Sequence, residues 1–248
     1  AKSGKRELRE TGKLSIKLKE KDLLIGVDLA QATQDIMLST TDGKCVRFPV
    51  KSLRLFSGLN SGGVRGIKLE KNNFVVSLSI LKHSKIDMNI RQEYLKFSSE
   101  SRKNGSALSN RNDFKELQKN EEFILSVTSN GFGKRSSAYE YRISSRGGKG
   151  LIGIRTTSKN GKVIDSFIIN EDDQVILVSD KGKIIRVSVK KSPTLSNSPI
   201  FNSTPFSEHS SHTSIQTSIQ RRTLGMFFRV GVISLRVVES PFISTFLL

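Results

Sequence analysis

The residues with the clearest chemical signature are lysines and arginines set beside glycine turns. Lys44, Arg47, Lys51 and Arg54 accompany Gly43, Lys134, Arg135 and Arg142 accompany Gly131, and Lys181, Lys183, Arg186, Lys190 and Lys191 accompany Gly182. Cations repeated in this way suit a phosphate backbone. Each neutralised phosphate releases counterions, so affinity falls steeply with salt. The net charge of +18 and the pI near 10.2 point the same way, to a polyanion: DNA, RNA or an anionic membrane. Solubility alone asks for a net charge of only about 2–8 in a small domain. A membrane fits less well, because no basic amphipathic helix or long apolar span stands out in the repeat region. Trp is absent and Tyr occurs three times, so stacking platforms for single-stranded bases are thin. Duplex DNA held by its backbone and bent is the better match.

Other chemistry is sparse. The single cysteine, Cys45, excludes an intramolecular disulfide and reads as a small packed hydrophobe. His83, His209 and His212 lack the cysteine company of a zinc site. Gly131-Phe132-Gly133 has no βαβ context, so it is no dinucleotide fingerprint. Walker-loop and nucleophile-elbow wording are absent, and no catalytic or metal-binding set assembles. No secretory signal opens the chain, and its first residue is not Met, so it reads as a piece of a longer protein.

The elements that must position these cations recur. Three turns lead into basic strands: Thr41-Asp42-Gly43-Lys44, Ser129-Asn130-Gly131-Phe132-Gly133-Lys134 and Ser179-Asp180-Lys181-Gly182-Lys183. A second motif interleaves with them at Gly12-Lys13-Leu14, Gly63-Val64-Arg65-Gly66-Ile67-Lys68 and Gly150-Leu151-Ile152-Gly153-Ile154-Arg155. Gly131 and Gly182 stand 51 residues apart, as do Gly12 and Gly63. A period of roughly 50 residues with several short strands per unit is propeller arithmetic. In a propeller the equivalent turns lie around one rim, so repeated charge becomes a continuous track. A chain of 248 residues suits one large all-β domain or two smaller ones.

Strands are expected over Asp22–Leu29, Asp35–Thr40, Lys44–Leu55, Gly66–Lys68 and Phe74–Leu81, with further strands in Val163–Ile169 and Val175–Val178. Asp42-Gly43, Asn130-Gly131 and Asn160-Gly161 are hairpin signals. Residues 82–122 interrupt the pattern with nine Lys/Arg against seven Asp/Glu and read as an insertion. Within it, short helices are expected over Ile86–Phe97 and over Asp113–Lys119 behind an Asn112 cap. Removing about 40 residues restores the repeat between Gly43 and Gly131, which are 88 apart.

A sharper break falls at Ser192–Pro193. Residues 193–248 hold no Lys and no Asp, and 17 of these 56 residues are Ser or Thr. The break reads either as a disordered linker with a terminal hairpin or as translation in a shifted reading frame. The second is favoured because the break lies inside a repeat. This tail is expected to be mostly disordered and to leave the last blade incomplete, with an open edge near Val175–Val189. Its one hairpin is expected to pair Phe227–Val230 with Ile233–Arg236 across Gly231, out of register with the repeats.

The order Thr11–Leu18, Leu23-Leu24-Ile25-Gly26-Val27-Asp28-Leu29, Gly43–Phe48, Gly62–Leu69, Asn130–Arg135 and Asp180–Gly182 resembles the C-terminal domain of the bacterial DNA gyrase A protein. The match covers about residues 8–191 apart from the insertion. The resemblance implies a β-pinwheel, a propeller-like disc of roughly 50-residue blades that wraps duplex DNA around its basic rim, with about three blades in residues 1–192. The cations that would meet DNA are Lys44, Arg47, Arg54, Arg65, Lys68, Lys134, Arg135, Arg142, Arg146, Lys149, Lys181, Lys183 and Arg186. The family's hallmark box, Gln-Arg-Arg-Gly-Gly-Lys-Gly, is echoed in its last five residues by Arg146–Gly150, at a later blade position. Its role in wrapping is not carried over to that site. The family's DNA-linking tyrosine is missing, since Tyr94, Tyr139 and Tyr141 lack its sequence context.

The resemblance further implies a cytoplasmic, nucleoid-associated bacterial protein whose partners are duplex DNA, the gyrase B protein and a second gyrase A protein. ATP and Mg²⁺ would act elsewhere in that holoenzyme, with no cofactor or metal in this fragment and no catalysis by it alone. Two alternatives remain: the C-terminal domain of the topoisomerase IV A protein, and a propeller-type protein-interaction module.

Overall fold

The computed structural model describes residues 18, 20, 22–54, 63–104, 111–170, 172–179, 184–189, 215–218, 233–240 and 243–247. Strands β1 (Leu23–Ala30), β2 (Gln34–Thr40), β3 (Lys44–Pro49), β4 (Val64–Arg65) and β5 (Val75–Lys82) come first. Helices α1 (Met88–Asn104) and α2 (Asn112–Asn120) follow. Then come β6 (Phe123–Thr128), β7 (Gly133–Ser137), β8 (Leu151–Ile152), β9 (Val163–Ile169), β10 (Gln174–Ser179), β11 (Ile184–Ser188), β12 (Ile215–Ser218), β13 (Ile233–Ser240) and β14 (Ile243–Leu247). They form four antiparallel sheets, ordered β1-β13-β14-β4, β5-β2-β3-β8, β7-β6-β9 and β11-β10-β12. The fold is a β-pinwheel fragment with a helical insertion.

The blades are built alike because their sequences are alike. Asp42-Gly43 and Asn130-Gly131 turn β2 into β3 and β6 into β7, with both glycines at φ 79°. Gly43 cannot be replaced there: a Cβ would lie 2.0 Å from the Ile154 carbonyl oxygen of the next unit. Asn160-Gly161 behaves differently. It forms a turn ahead of β9 rather than a hairpin, closed by Thr157 and Asn160. Pro49 ends β3 six residues short of the expected Leu55, and a 3₁₀ turn over Val50–Ser52 follows. Gly66–Lys68 is not a strand; the short strand precedes it at Val64–Arg65.

The two inner blades are buried on both faces, whereas Leu23, Val27 and Leu29 of β1 are exposed. Ile36, Leu38, Val46 and Phe48 pack toward Ala30 and Ile25 of the first blade. Their neighbours Met37, Cys45 and Leu81 pack the other way, against Ile124, Ala138 and Tyr141. Phe123, Leu125 and Val127 meet Val175 and Val189 of the next sheet. Period-2 alternation thus distributes apolar side chains to two interfaces rather than to core and solvent.

The insertion is anchored at its base. Lys82 N–H donates to Glu122 Oε2 at 2.8 Å, so the chain leaves and re-enters the disc at one place. Tyr94 and Phe114 are buried edge-to-face, and Tyr94 also meets Tyr139 of the blade below edge-to-face. Helix α1 runs to Asn104, past the expected Phe97. Asp87 caps its start, accepting from Asn89 N–H at 2.8 Å. Arg111, not Asn112, is the flanking residue of α2.

The tail expectation is corrected where residues 193–248 are described. Ile215–Ser218 pairs with Ile176–Ser179, so the edge of β10 expected to be open is covered. Ile233–Ser240 pairs with β1 and with Ile243–Leu247, with Ser240 opposite Ile243, so the terminal hairpin is not the one expected across Gly231. Short runs of β-branched residues, Ile215 with Thr217 and Val237 with Val238, suffice for these strands despite the Ser/Thr-rich composition. Phe227–Val230 lies outside the described residues.

Candidate nucleic-acid interface

The short strand of each unit crosses to the preceding blade, and this crossing gathers cations. Leu151–Ile152 pairs with Cys45 and Lys44 of the blade before it. On its way the chain runs beside β3. Ile143 bridges Arg47, and Ser144 N–H donates to the Arg47 carbonyl at 2.8 Å. Farther on, Gly147 N–H donates to Gly66 O at 2.5 Å, and Lys68 N–H donates to Gly148 O at 2.8 Å. Arg146 spans the junction, with Nε to Ser52 O and Nη1 to Arg65 O, each at 3.3 Å. Glycines permit this approach. A Cβ on Gly150 would sit 2.6 Å from Cys45 O. The result is a basic ridge formed by Arg65 and Lys68 from one unit and Arg146 and Lys149 from the next. Arg65, Lys68 and Lys149 are exposed and Arg146 is half-buried. Arg54 and Arg142 are also exposed, on the segments that flank this junction.

The remaining expected contacts divide. Lys44 is half-buried between Asp42, at 3.1 Å, and Glu70; these carboxylates raise its pKa, Glu70 most. Lys134 is half-buried too, with Nζ donating to Gly153 O at 3.1 Å and lying 3.5 Å from Glu140. Arg186 is exposed and donates to Gln174. Lys181 and Lys183 lie outside the described residues, as do Lys190 and Lys191.

Arg47 and Arg135 are corrections. They are only 3% and 7% exposed, and neither guanidinium reaches a passing phosphate. Arg47 Nε pairs with the fully buried Asp35 at 2.9 Å, while Nη1 and Nη2 donate to Ala138 O and Lys82 O, each at 2.8 Å. Arg135 Nη1 donates to Val189 O at 3.1 Å and its guanidinium lies over the Phe123 ring. The two are equivalent. Each stands four residues past its turn glycine and donates to the carbonyl seven residues past the next turn glycine. They staple blade to blade. A repeated arginine in sequence signals either a rim charge or such a staple. For Arg47 the distinguishing sign is the buried carboxylate of Asp35, the second residue of β2; for Arg135 the equivalent position holds Phe123, whose ring lies under the guanidinium.

Sequence reasoning also passes over Arg155, Lys159 and Lys162, which are exposed. Asn130 Nδ2 donates to Lys159 O at 2.8 Å and Ser129 N–H to Lys162 O at 2.8 Å, so Lys159 and Lys162 flank the Asn130-Gly131 turn. The Lys159-Asn160-Gly161-Lys162 wording is their signal. Among the described residues no three His, Cys, Asp or Glu side chains converge as metal ligands would, and no helix is long and apolar enough to cross a membrane.

Residues 6–31, 34–82, 122–170 and 173–191 match the DNA gyrase C-terminal domain, beta-propeller family. The chain belongs to that family. The matched stretches skip the helical segment and stop at 191, beside the composition break. The DNA gyrase A protein of Rickettsia bellii is 38% identical over 196 residues, covering 75% of this chain and 22% of that protein. Its Escherichia coli K12 counterpart is 34% identical over 184 residues, covering 74% of this chain and 17% of that protein. The chain therefore spans about a fifth of the length of these gyrase relatives. Among solved structures, the C-terminal domain of DNA topoisomerase IV superposes with a TM-score of 0.55 at 18% identity, covering 73% of this chain and 45% of that one. This likeness is one of fold.

Proposed function

We propose that residues 1–192 bind duplex DNA through its backbone and bend it around the blade rim, as the C-terminal part of a gyrase A protein. The observation that carries this reading is the ridge of Arg65, Lys68, Arg146 and Lys149, assembled from two units by main-chain contacts. Exposed cations on a rigid scaffold position a backbone without reading bases. Residues 82–122 are an insertion that leaves the disc, and 193–248 a tail of different composition. In the full-length protein this piece would support ATP-dependent negative supercoiling together with the gyrase B protein and a second gyrase A protein in the bacterial cytoplasm. ATP, Mg²⁺ and strand cleavage would belong to other domains, leaving this piece inactive alone and free of cofactors. The topoisomerase IV A protein is the second reading, favoured by the shared fold.

Wrapping, as distinct from binding, is tested on relaxed closed-circular DNA. The chain is bound, the DNA is nicked and resealed, and the protein is removed. A topoisomer distribution shifted to one side is expected. A distribution identical to the protein-free control would overturn wrapping.

A further inference from the structure

The first blade takes its hairpin from far along the chain. Its order, β1-β13-β14-β4, repeats that of the second blade, β5-β2-β3-β8, place for place. The agreement extends to single residues. Shifting by the 51-residue repeat turns Gly26 into Ser77 and Leu24 into Val75. Val237 pairs with Gly26 on one side and Phe246 on the other. Ser39 pairs with Ser77 and Cys45 in the same way. Phe246 then meets Val64 as Cys45 meets Leu151, and Thr245 meets Arg65 as Lys44 meets Ile152. Even the irregularity is shared. The register skips one residue of β1 between Leu24 and Gly26, one of β5 at the matching place, and one of β9 opposite Val127 and Thr128.

Register in a sheet is set by pattern and by bulges, and a slip of one residue inverts every side chain. A hairpin laid on β1 without relation to the repeat would have no reason to find this register. We infer that Ile233–Leu247 is a surrogate blade hairpin, which plugs in cis the slot between β1 and β4 that elsewhere in the fold takes a repeat's own hairpin. The expectation of a hairpin out of register is thereby reversed. The plug covers the inner edges of β1 and β4, which would otherwise offer unpaired main-chain groups to another chain.

Cross-linking of the full chain tests this directly. Paired residues of antiparallel strands stand about 4.5–5.5 Å apart at Cα, within disulfide reach. Leu29 and Ser234 are such a pair. The double variant Leu29→Cys/Ser234→Cys should form an intramolecular disulfide under mild oxidation, and Leu29→Cys/Glu239→Cys should not. The native Cys45 does not interfere, because burial pushes its thiol up to about 12. Failure to cross-link, or equal cross-linking of both variants, would overturn the inference. Disulfide-linked dimers would overturn it too, by placing a second copy's hairpin in the slot. Hydrogen exchange supplies an independent measure. Val237→Pro removes a ladder donor and should speed exchange of the Leu23–Ala30 amides by about tenfold or more while leaving Phe123–Thr128 unchanged. Unchanged exchange at Leu23–Ala30 would count against the plug.

Discussion

Arg47 ties three elements together through one guanidinium: Asp35 on β2, the end of β5 at Lys82, and the turn at Ala138 in the next blade. His83 Nδ1 reaches the other Asp35 oxygen at 2.6 Å. Removing one partner of a buried pair strands the other, which typically costs about 3–5 kcal/mol. Arg47→Ala should therefore lower unfolding stability by about that much, read from urea denaturation. Arg47→Lys should fare little better, since a single ammonium cannot match the guanidinium fork. DNA affinity per folded molecule should stay near wild type in both variants.

Burial raises the pKa of Glu122, and the Lys82 N–H bond only partly offsets that. A folded-state pKa above the unfolded value of about 4.3 means the native state holds the proton more tightly. The contribution of Glu122 to stability should thus fall as pH rises through the window above about 4.3 and then level off. Glu122→Gln keeps an acceptor for Lys82 N–H and should abolish that fall. Urea midpoints measured across the acid range for both proteins check it.

Among the elements, the insertion enters and leaves at one point, but its aromatic pair covers Tyr139. Replacing residues 84–120 with a short Gly/Ser linker should keep the β circular-dichroism signal and cooperative unfolding. The midpoint should drop, since uncovering an aromatic side chain costs about 1.5–3 kcal/mol. Loss of cooperativity would make the helices part of the blade core.

The blade hairpins are legible in the sequence because Asp42-Gly43 and Asn130-Gly131 state their own turn chemistry. Pro49 marks the end of β3, but Val50, Leu53 and Leu55, interspersed with Lys51, Ser52 and Arg54, mask that signal. The pairing of β8 with β3 is illegible, because a two-residue strand carries no periodicity. The tail pairing is illegible for a related reason. Register lies in correspondence between distant segments, and the composition of 193–248 masks it. Among the site residues, the ridge is legible in the second glycine motif, Gly63–Lys68, and in Arg146–Gly150, whereas the charge repeated beside the hairpin turns falls on partnered Lys44 and Lys134 and on the buried staples. A buried arginine and an exposed one at equivalent turn offsets look identical until Asp35 and the next blade's carbonyl are placed beside one of them.

For the molecule as a whole, exposed cations gathered from neighbouring blades are proposed to hold duplex DNA by its backbone. Lys68 and Lys149 are the cleanest probes, because both side chains are exposed on the ridge and the fold uses only the Lys68 main chain. The decisive measurement is duplex binding by the wild type and by Lys68→Ala/Lys149→Ala across a salt series, with two unrelated sequences. The wild type should weaken steeply with salt. The variant should bind both duplexes more weakly by the same factor, and its slope of log affinity against log salt should be shallower by about 1.8, or about 0.9 for each lost phosphate contact. A wild-type affinity indifferent to salt, or a variant with the wild-type slope and affinity, would contradict backbone binding by the ridge.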